Sequence, residues 1–285
     1  MTLYIVGTPI GNLEDMTFRA VKVLQSVEIV AAEDTRHTGK LLQHFQIQTR
    51  QMSCHEHNQQ QRIPELLALM QQGKAIALVS DAGIPGISDP GYELIQATLE
   101  AGIDVIPIPG ANAALTALSA SGLGSDRFCF EGFLPAKGKP RHQRLDALKT
   151  ETRTVILYEA PHRLQATLKD LSATCGAERQ ITIARELTKL YEQFWRGSLN
   201  EAIQYYQEHQ PKGEFTLVLA GANLENVGLS ETALKAELAD LLEQGWSRSQ
   251  ASRHLAQLTD VPKRKLYQMA LELPDAIDPS SSVDR

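Results

Sequence analysis

Residues 75–91 read Ala-Ile-Ala-Leu-Val-Ser-Asp-Ala-Gly-Ile-Pro-Gly-Ile-Ser-Asp-Pro-Gly. An unbroken apolar run of strand length passes directly into a loop of glycine, proline, serine and aspartate. The same junction recurs at Val105-Ile-Pro-Ile-Pro-Gly110-Ala-Asn. Strand, then glycine loop, then helix is how open α/β sheets build ligand sites beyond the carboxyl ends of their strands. Glycine and proline let the backbone approach a ligand closely, and Asp81 and Asp89 place carboxylates in that loop. The pattern points to an enzyme with a small-molecule cleft.

Working outward, residues 3–6, 27–32, 75–79 and 103–108 read as strands, with 75–79 the third or the fourth. Residues 13–24, 60–70, 92–100 and 113–121 carry helical stripes, Leu13, Phe18, Val21 and Leu24 forming the first. Repeated βα units imply a largely parallel sheet with right-handed crossovers over 1–121, an N-terminal α/β domain. After a linker at 121–125, a second α/β domain over 122–222 has strands at 154–158, 181–185, 192–196 and 215–220 and helices at 162–173 and 199–209. The short gap between 185 and 192 reads as a hairpin, hence a mixed sheet. Residues 221–229 read as a linker, 229–273 as three short helices resembling a helix-turn-helix module, and 274–285 as a disordered tail.

The chain has 285 residues, 42% of them hydrophobic, enough for about two domains with sizeable cores. No apolar run is long enough to span a membrane, and the start lacks the basic region of a signal peptide. Cys54, Cys129 and Cys175 are odd in number and unpaired by spacing, which suits reduced thiols in a cytoplasmic protein. A formal charge of −6 does not advertise a nucleic-acid binder. Local basic stretches at 137–144 (Lys-Gly-Lys-Pro-Arg-His-Gln-Arg) and 262–265 (Pro-Lys-Arg-Lys) can still hold phosphates, the alternative for 137–144 being a solvated loop.

Gly7-Thr-Pro-Ile-Gly11 matches neither a dinucleotide fingerprint nor a P-loop, so a cofactor without a phosphate chain fits better. Glu33-Asp34-Thr35-Arg36 offers either a ribose-binding acid or an ion pair. Cys54-His55-Glu56-His57 looks like a metal box but has too few partners nearby, so a polar loop lining the cleft is preferred and no metal is expected. Tyr158-Glu-Ala-Pro-His-Arg163 and Arg185-Glu-Leu-Thr-Lys189 put charged clusters at neighbouring strand ends. Arg163, Arg185 and Lys189 can grip phosphates there, and Glu159 or Glu186 can orient them or take a proton; the plainer reading is a salt-bridge network.

Taken in order, these motifs together with His-Glu-His-Asn (55–58) and Gly132-Phe-Leu-Pro-Ala-Lys137 resemble the tetrapyrrole (corrin/porphyrin) methylase superfamily, over roughly residues 1–222. The likeness is to its branch of 16S rRNA cytidine 2′-O-methyltransferases, whose C-terminal helices the tail also resembles. Ile84 and Asn112 depart from the residues common there, Thr and Ser. The resemblance implies two α/β domains with S-adenosylmethionine in the cleft between them, a homodimer, and methyl transfer to a ribose 2′-hydroxyl in the decoding region of the small ribosomal subunit. It assigns the cofactor to Pro9, Asp81, Gly83, Ser88, Asp89, Gly110, Ala111, Ala113, Tyr158, Ala160, Ala184 and Thr216. Lys189 or Glu159 is expected to activate the hydroxyl, by proton removal or by stabilising the developing alkoxide. Arg36, His55, Lys137, Lys139, Arg141, Arg144, Arg163 and Arg185 are expected to contact RNA. The competing readings are a tetrapyrrole methyltransferase on the same scaffold and a ligand-sensing nucleic-acid-binding protein.

Overall fold

The computed structural model describes residues 1–222, 231–259 and 261–273. Most of the 221–229 linker and the 274–285 tail lie outside the described residues. One compact unit comprises Met1–Leu145 and Arg153–Ala220 and contains both sheets; the other comprises Asp146–Thr152 and Gly221–Arg285.

The first sheet is built from β1 (Thr2–Val6), α1 (Phe18–Ser26), β2 (Ile29–Ala32), α2 (Thr35–His44), β3 (Arg50–Ser53), α3 (Gln59–Gln71), β4 (Ala75–Val79), α4 (Tyr92–Glu100) and β5 (Asp104–Ile108). Its strand order is β3-β2-β4-β1-β5, and every pairing is parallel. The alternation of a pleated strand splits the apolar residues between two cores. Leu3, Ile5, Ile29, Ala31, Ile76 and Leu78 face Leu66 and Met70 of α3 and Leu94 of α4. Val6, Val30, Ala32, Ala77 and Val79 face Ala20 and Leu24 of α1 and Leu42 of α2. Burial on both faces explains why these strands read as continuous apolar runs.

The second half begins with α5 (Ala113–Ser119), then β6 (Phe128–Phe133), α6 (Gly138–Lys149), β7 (Thr154–Glu159), α7 (Leu164–Cys175), β8 (Gln180–Arg185), β9 (Gln193–Ser198), α8 (Leu199–Glu208) and β10 (Phe215–Leu219). The order β6-β7-β10-β8-β9 pairs β6 and β7 in parallel and the rest antiparallel, so the sheet is mixed and β8–β9 is the expected hairpin. Although α5 follows the last strand of the first sheet, it packs on the second. Ala114, Ala117 and Leu118 are buried against Ile156, Ala184 and Val218. The second unit holds α9 (Glu231–Glu243), α10 (Arg248–Leu258) and α11 (Lys263–Leu271), closed on Leu238, Leu255 and Leu266.

Several sequence expectations need correcting. The helix expected at 13–24 starts later: Leu13–Asp15 is a 3-10 turn, and the Thr17 hydroxyl caps α1 by accepting from the Ala20 N–H at 3.1 Å. Phe18, read as part of the buried stripe, is 90% exposed. Strand β3 makes 75–79 the fourth strand. The helix α2, opened by the Asp34 side chain accepting from the Arg36 N–H, and the strand β6 were not anticipated. Residues 138–149 form a helix, so the plainer alternative of a loop for the basic stretch at 137–144 is wrong for all but its first residue.

Two glycines fix how the first sheet meets its loops. A Cβ on Gly110 would lie 2.7–2.8 Å from the Gly7 backbone, and one on Gly7 would lie 2.8 Å from the Gly110 Cα. Gly39 lies inside α2, where a Cβ would meet only Gln51 Nε2 at 3.4 Å. Gly110→Ala is therefore expected to destabilise the fold by about 1–3 kcal/mol through overpacking. Gly39→Ala is expected to be neutral or to stabilise by up to about 1 kcal/mol, since alanine is the better helix former. Thermal midpoints of the two variants test this; equal losses would remove the special role of the Gly7–Gly110 approach.

Candidate active site

Three loops at the carboxyl ends of β1, β4 and β5 converge. The Gly7 N–H donates to the Ile108 carbonyl at 3.1 Å, and Thr8 and Gly83 exchange backbone hydrogen bonds at 2.8 and 3.1 Å. The Thr8 side chain is buried and donates to the Ser80 carbonyl at 3.3 Å. On the other side, Asn112 caps α5 by accepting from the Leu115 N–H at 3.0 Å, which leaves the first N–H groups of that helix facing β7.

Between these loops and the second sheet lies a cavity of about 290 Å³. Gly83, Ser88, Asp89, Ala113, Tyr158, Ala160 and Thr216, all expected from the sequence, line it. Tyr158 packs edge-on to Phe130 at 4.9 Å and to Phe133 at 5.6 Å, and burial pushes its phenol up. Ser88 adopts a left-handed backbone, φ 60°, which is uncommon for a residue other than glycine and aims the loop toward the cavity. The remaining expected cofactor residues stand elsewhere. Pro9 and Asp81 line the second cavity, Ala184 is fully buried beside Thr216 on the neighbouring strand β8, and Gly110 and Ala111 belong to the loop that leads into α5. Much of the apolar lining, Ile10, Ile87, Phe133 and Pro161, was not singled out in the sequence. Single apolar side chains in three loops and at the end of β6 carry no local signal.

A second cavity of about 340 Å³ shares Ile10, Ala82 and Glu214 with the first and adds His37, Lys40, Asp81 and Lys189. The Lys189 Nζ sits 2.9 Å from Glu186 Oε1 and 2.9 Å from Glu214 Oε2. Burial works against its charge, but the two carboxylates raise its pKa above the ordinary lysine value. The loop that presents it has Glu186 and Thr188 at φ 52° and 65°, and is tied by the Glu186 carboxylate accepting from the Glu214 N–H at 3.0 Å. Two left-handed residues on either side of Leu187 in one loop are backbone strain of the kind that collects at functional sites.

Glu159, the other expected catalytic residue, is 2% exposed. It accepts from Thr167 Oγ1 at 2.5 Å and from the Ala160 N–H at 2.9 Å, and pairs with Arg163 Nε at 3.3 Å. Arg163 also donates to the Leu134 carbonyl. Arg141 is buried and locked to Asp170 at 2.8 Å, to Thr167 at 3.0 Å and to the Pro135 carbonyl at 3.0 Å. The sequence expectation that Arg141 contacts RNA is therefore corrected: its guanidinium is spent inside the fold. Lys137 and Lys139 are exposed, Arg144 reaches Glu131 at 3.2 Å, and Arg185 Nε donates to the Lys212 carbonyl at 2.6 Å. Arg36 is exposed and pairs with Asp34 at 2.6 Å, which holds that carboxyl well below its usual range. His55 is half-buried with Nδ1 unpartnered, and no group of three or more His, Cys, Asp or Glu among the described residues is placed to hold a metal ion.

Comparison with known proteins follows the same outline. Residues 2–203 match the family described as Tetrapyrrole (Corrin/Porphyrin) Methylases. The chain is 62% identical over 272 residues to the Ribosomal RNA small subunit methyltransferase I of Synechocystis sp., covering 95% of this chain and 98% of that one. It is 50% identical to the protein of the same name in Escherichia coli O157:H7, covering 95% and 94%. Among solved structures it is similar to uroporphyrin-III C-methyl transferase from Thermus thermophilus complexed with S-adenyl homocysteine. There the TM-score is 0.56 at 18% identity, over 77% of this chain and 97% of that one.

Asp89 yields a pH dependence. Burial, then the charge of Glu33, raises its pKa to about 6, against the help of the Ser80 hydroxyl. The unfolded chain loses this proton near pH 3.8 and the folded one near 6, so the folded state binds more protons between those values. Stability attributable to Asp89 therefore falls as pH rises through that window and stays lower above it. Asp89→Asn is expected to be more stable than wild type by about 1 kcal/mol at pH 8, a figure reduced for solvent screening, with the gap closing by pH 4. Denaturant midpoints at the two pH values check it; a pH-independent gap overturns the assignment.

Proposed function

The chain belongs to the tetrapyrrole (corrin/porphyrin) methylase family, and we propose that it is the member that transfers a methyl group from S-adenosylmethionine to a cytidine ribose 2′-hydroxyl in the decoding region of 16S rRNA. The observation that carries this reading is the pair of joined cavities, one apolar with an acidic rim and one presenting Lys189. Identity of 62% over nearly the whole chain to an rRNA methyltransferase, against 18% to a uroporphyrin enzyme, favours RNA over a tetrapyrrole.

The residues of the first cavity fit the cofactor. Its apolar walls, with Ile10, Ile84 and Phe133, suit a flat base. The Asp89 carboxyl, held near pKa 6 by burial and by Glu33, gains from a neighbouring cation. When bound, S-adenosylmethionine supplies an activated methyl on a sulfonium, so the protein's task is alignment and management of the hydroxyl proton. The product side balances as S-adenosylhomocysteine, a 2′-O-methyl ribose and one proton.

We assign the two candidate groups different tasks. Lys189, whose charge Glu214 and Glu186 stabilise, is protonated at neutral pH and so acts as a cation beside the developing alkoxide rather than as a base. Glu214 lines both cavities and its side chain is 80% exposed, which makes it the carboxylate placed to receive the proton. The oxygens of Glu159 are occupied by Thr167, Ala160 and Arg163, so it is a positioning residue for the Tyr158–Pro161 turn. Lys137, Lys139, Arg144, Arg185 and the less buried cations are left to the RNA backbone. In this reading the enzyme works as a homodimer in the cytoplasm, and no helix among the described residues is long and apolar enough to cross a membrane.

The direct test is methyl transfer from labelled S-adenosylmethionine to 30S subunits lacking the modification, with the product mapped. A 2′-O-methylcytidine in the decoding region is expected; transfer to a tetrapyrrole instead would replace the substrate. Lys189→Met should lower kcat by about 10²–10³-fold while the Kd for S-adenosylhomocysteine stays near wild type. A near-normal kcat removes Lys189 from the chemistry.

A further inference from the structure

Where the end of α8 meets the end of β8 and the start of β10, a groove of about 370 Å³ opens that the methyl transfer does not use. Phe215 lines both this groove and the cofactor cavity, so the two lie on either side of one residue. Tyr205 and His209 stack in it, rings 4.1 Å apart and 9° from parallel, and Trp195 leans on Tyr205 at 5.8 Å. The pile is held rigid. Gln193 Nε2 donates to the Tyr205 hydroxyl at 3.1 Å, and His209 Nδ1 lies 2.8 Å from the Tyr205 carbonyl.

Two cations flank the rings. Arg185 lines the groove and is anchored through Nε on the Lys212 carbonyl at 2.6 Å, and Lys212, also in the lining, is exposed. Glu208 is the one acid in the lining. Fixed aromatic faces beside a pair of cations are the combination that holds single-stranded nucleic acid: bases stack on rings whatever their sequence, and phosphates meet the charges. The ring faces are rimmed by Arg185, Lys212, Gln193 and Glu208, a cationic excess that suits a phosphate backbone.

We propose that this groove binds one unpaired nucleotide of the substrate RNA, its base against the Tyr205–His209 stack and its phosphate on Arg185 and Lys212, as a subsite outside the methyl-transfer cleft. The proposal rests on the RNA reading above and deepens it. It gives the enzyme a second grip on a flanking nucleotide, so that the target ribose is held from two sides of Phe215.

The test uses the full chain, a fluorescein-labelled single-stranded RNA of roughly 12 nucleotides, and unmethylated 30S subunits. The double variant His209→Ala, Lys212→Ala should raise both the Kd for the oligonucleotide and the KM for 30S subunits by about tenfold, with S-adenosylhomocysteine affinity retained. His209→Phe, which keeps a ring, should hold oligonucleotide binding within about threefold of wild type. Lys212→Glu, at an exposed position that leaves the core intact, should weaken binding on its own and shift its salt dependence. Unchanged Kd and KM in the double variant overturn the proposal, and so does a His209→Phe variant as weak as that double variant. A wild-type protein that binds the oligonucleotide in this groove yet leaves 30S subunits unmodified would support the subsite and defeat the rRNA reading.

Discussion

The contact on which the rest of the site depends is the approach of the Gly7 and Gly110 backbones, which leaves no room for a side chain on either residue. It lets the loops after β1 and β5 touch at the β5 edge of the parallel sheet. From there Thr8 reaches across to Gly83 in a short antiparallel bridge, joining the loop after β4 to the same knot. The loop after β5 then turns straight into α5, whose buried face belongs to the second sheet. One steric constraint therefore sets both the shape of the cofactor loops and the place where the second sheet docks. Ligand sites at the carboxyl ends of parallel strands are a general consequence of α/β topology; here the glycine pair makes the general site a particular one.

Charge divides the cleft into two chemistries. Glu33, Asp81 and Asp89 crowd the end of the first sheet, linked by the Asp81 N–H on Glu33 at 3.3 Å and the Asp34 N–H on Asp81 at 3.1 Å. Burial raises Glu33 as well as Asp89, so this rim is poised to welcome positive charge. Across the shared residues Ile10 and Ala82, Lys189 brings the opposite sign, and the carboxylates that flank it keep it charged. In the proposed reading, the cationic methyl donor belongs to the Asp89 cavity and the oxygen acquiring negative charge to the Lys189 cavity beside it. The strained backbone at Glu186 and Thr188 is tolerated because Glu186 is tied to both Lys189 and the Glu214 N–H.

Elements whose residues face one environment throughout were legible in the sequence. The strands β1, β2, β4, β7, β8 and β10 are largely buried runs, and each was recognisable as such. What escaped were elements defined by tertiary pairing. Edge strand β3, Arg-Gln-Met-Ser, buries only Met52 fully and carries no strand pattern of its own. The strand β6 is broken by a bulge at Glu131, between Phe130 and Gly132. The helix α2 is short, polar and held by Thr38, Leu41 and Leu42 alone. In the site the same division holds: loops rich in glycine and aspartate were visible, because their composition is local. The stretch 213–216 was assigned to the cofactor through the resemblance, but no separate task was given to Glu214 or to the apolar lining, because their meaning comes only from what stands opposite them.

Cations show most clearly why residue type does not assign a role. Arg141 lies four residues from Lys137 and three from Arg144, in a stretch that reads as one basic patch. The fold separates them. A helix over 138–149 turns Arg141 inward, where Asp170, Thr167 and the Pro135 carbonyl satisfy it, while Lys137, Lys139 and Arg144 stay at the surface. Arg163, one turn from Glu159, is likewise drawn onto the Leu134 carbonyl. Together these two arginines clamp the 134–135 backbone that follows β6, next to Phe133 and its contact with Tyr158 in the cofactor cavity. A buried guanidinium needs its hydrogen-bond partners supplied by the protein, and once supplied it can no longer trade them for phosphate. Burial therefore separates the arginines that hold the 134–135 backbone in place from Lys137 and Lys139, whose side chains remain exposed.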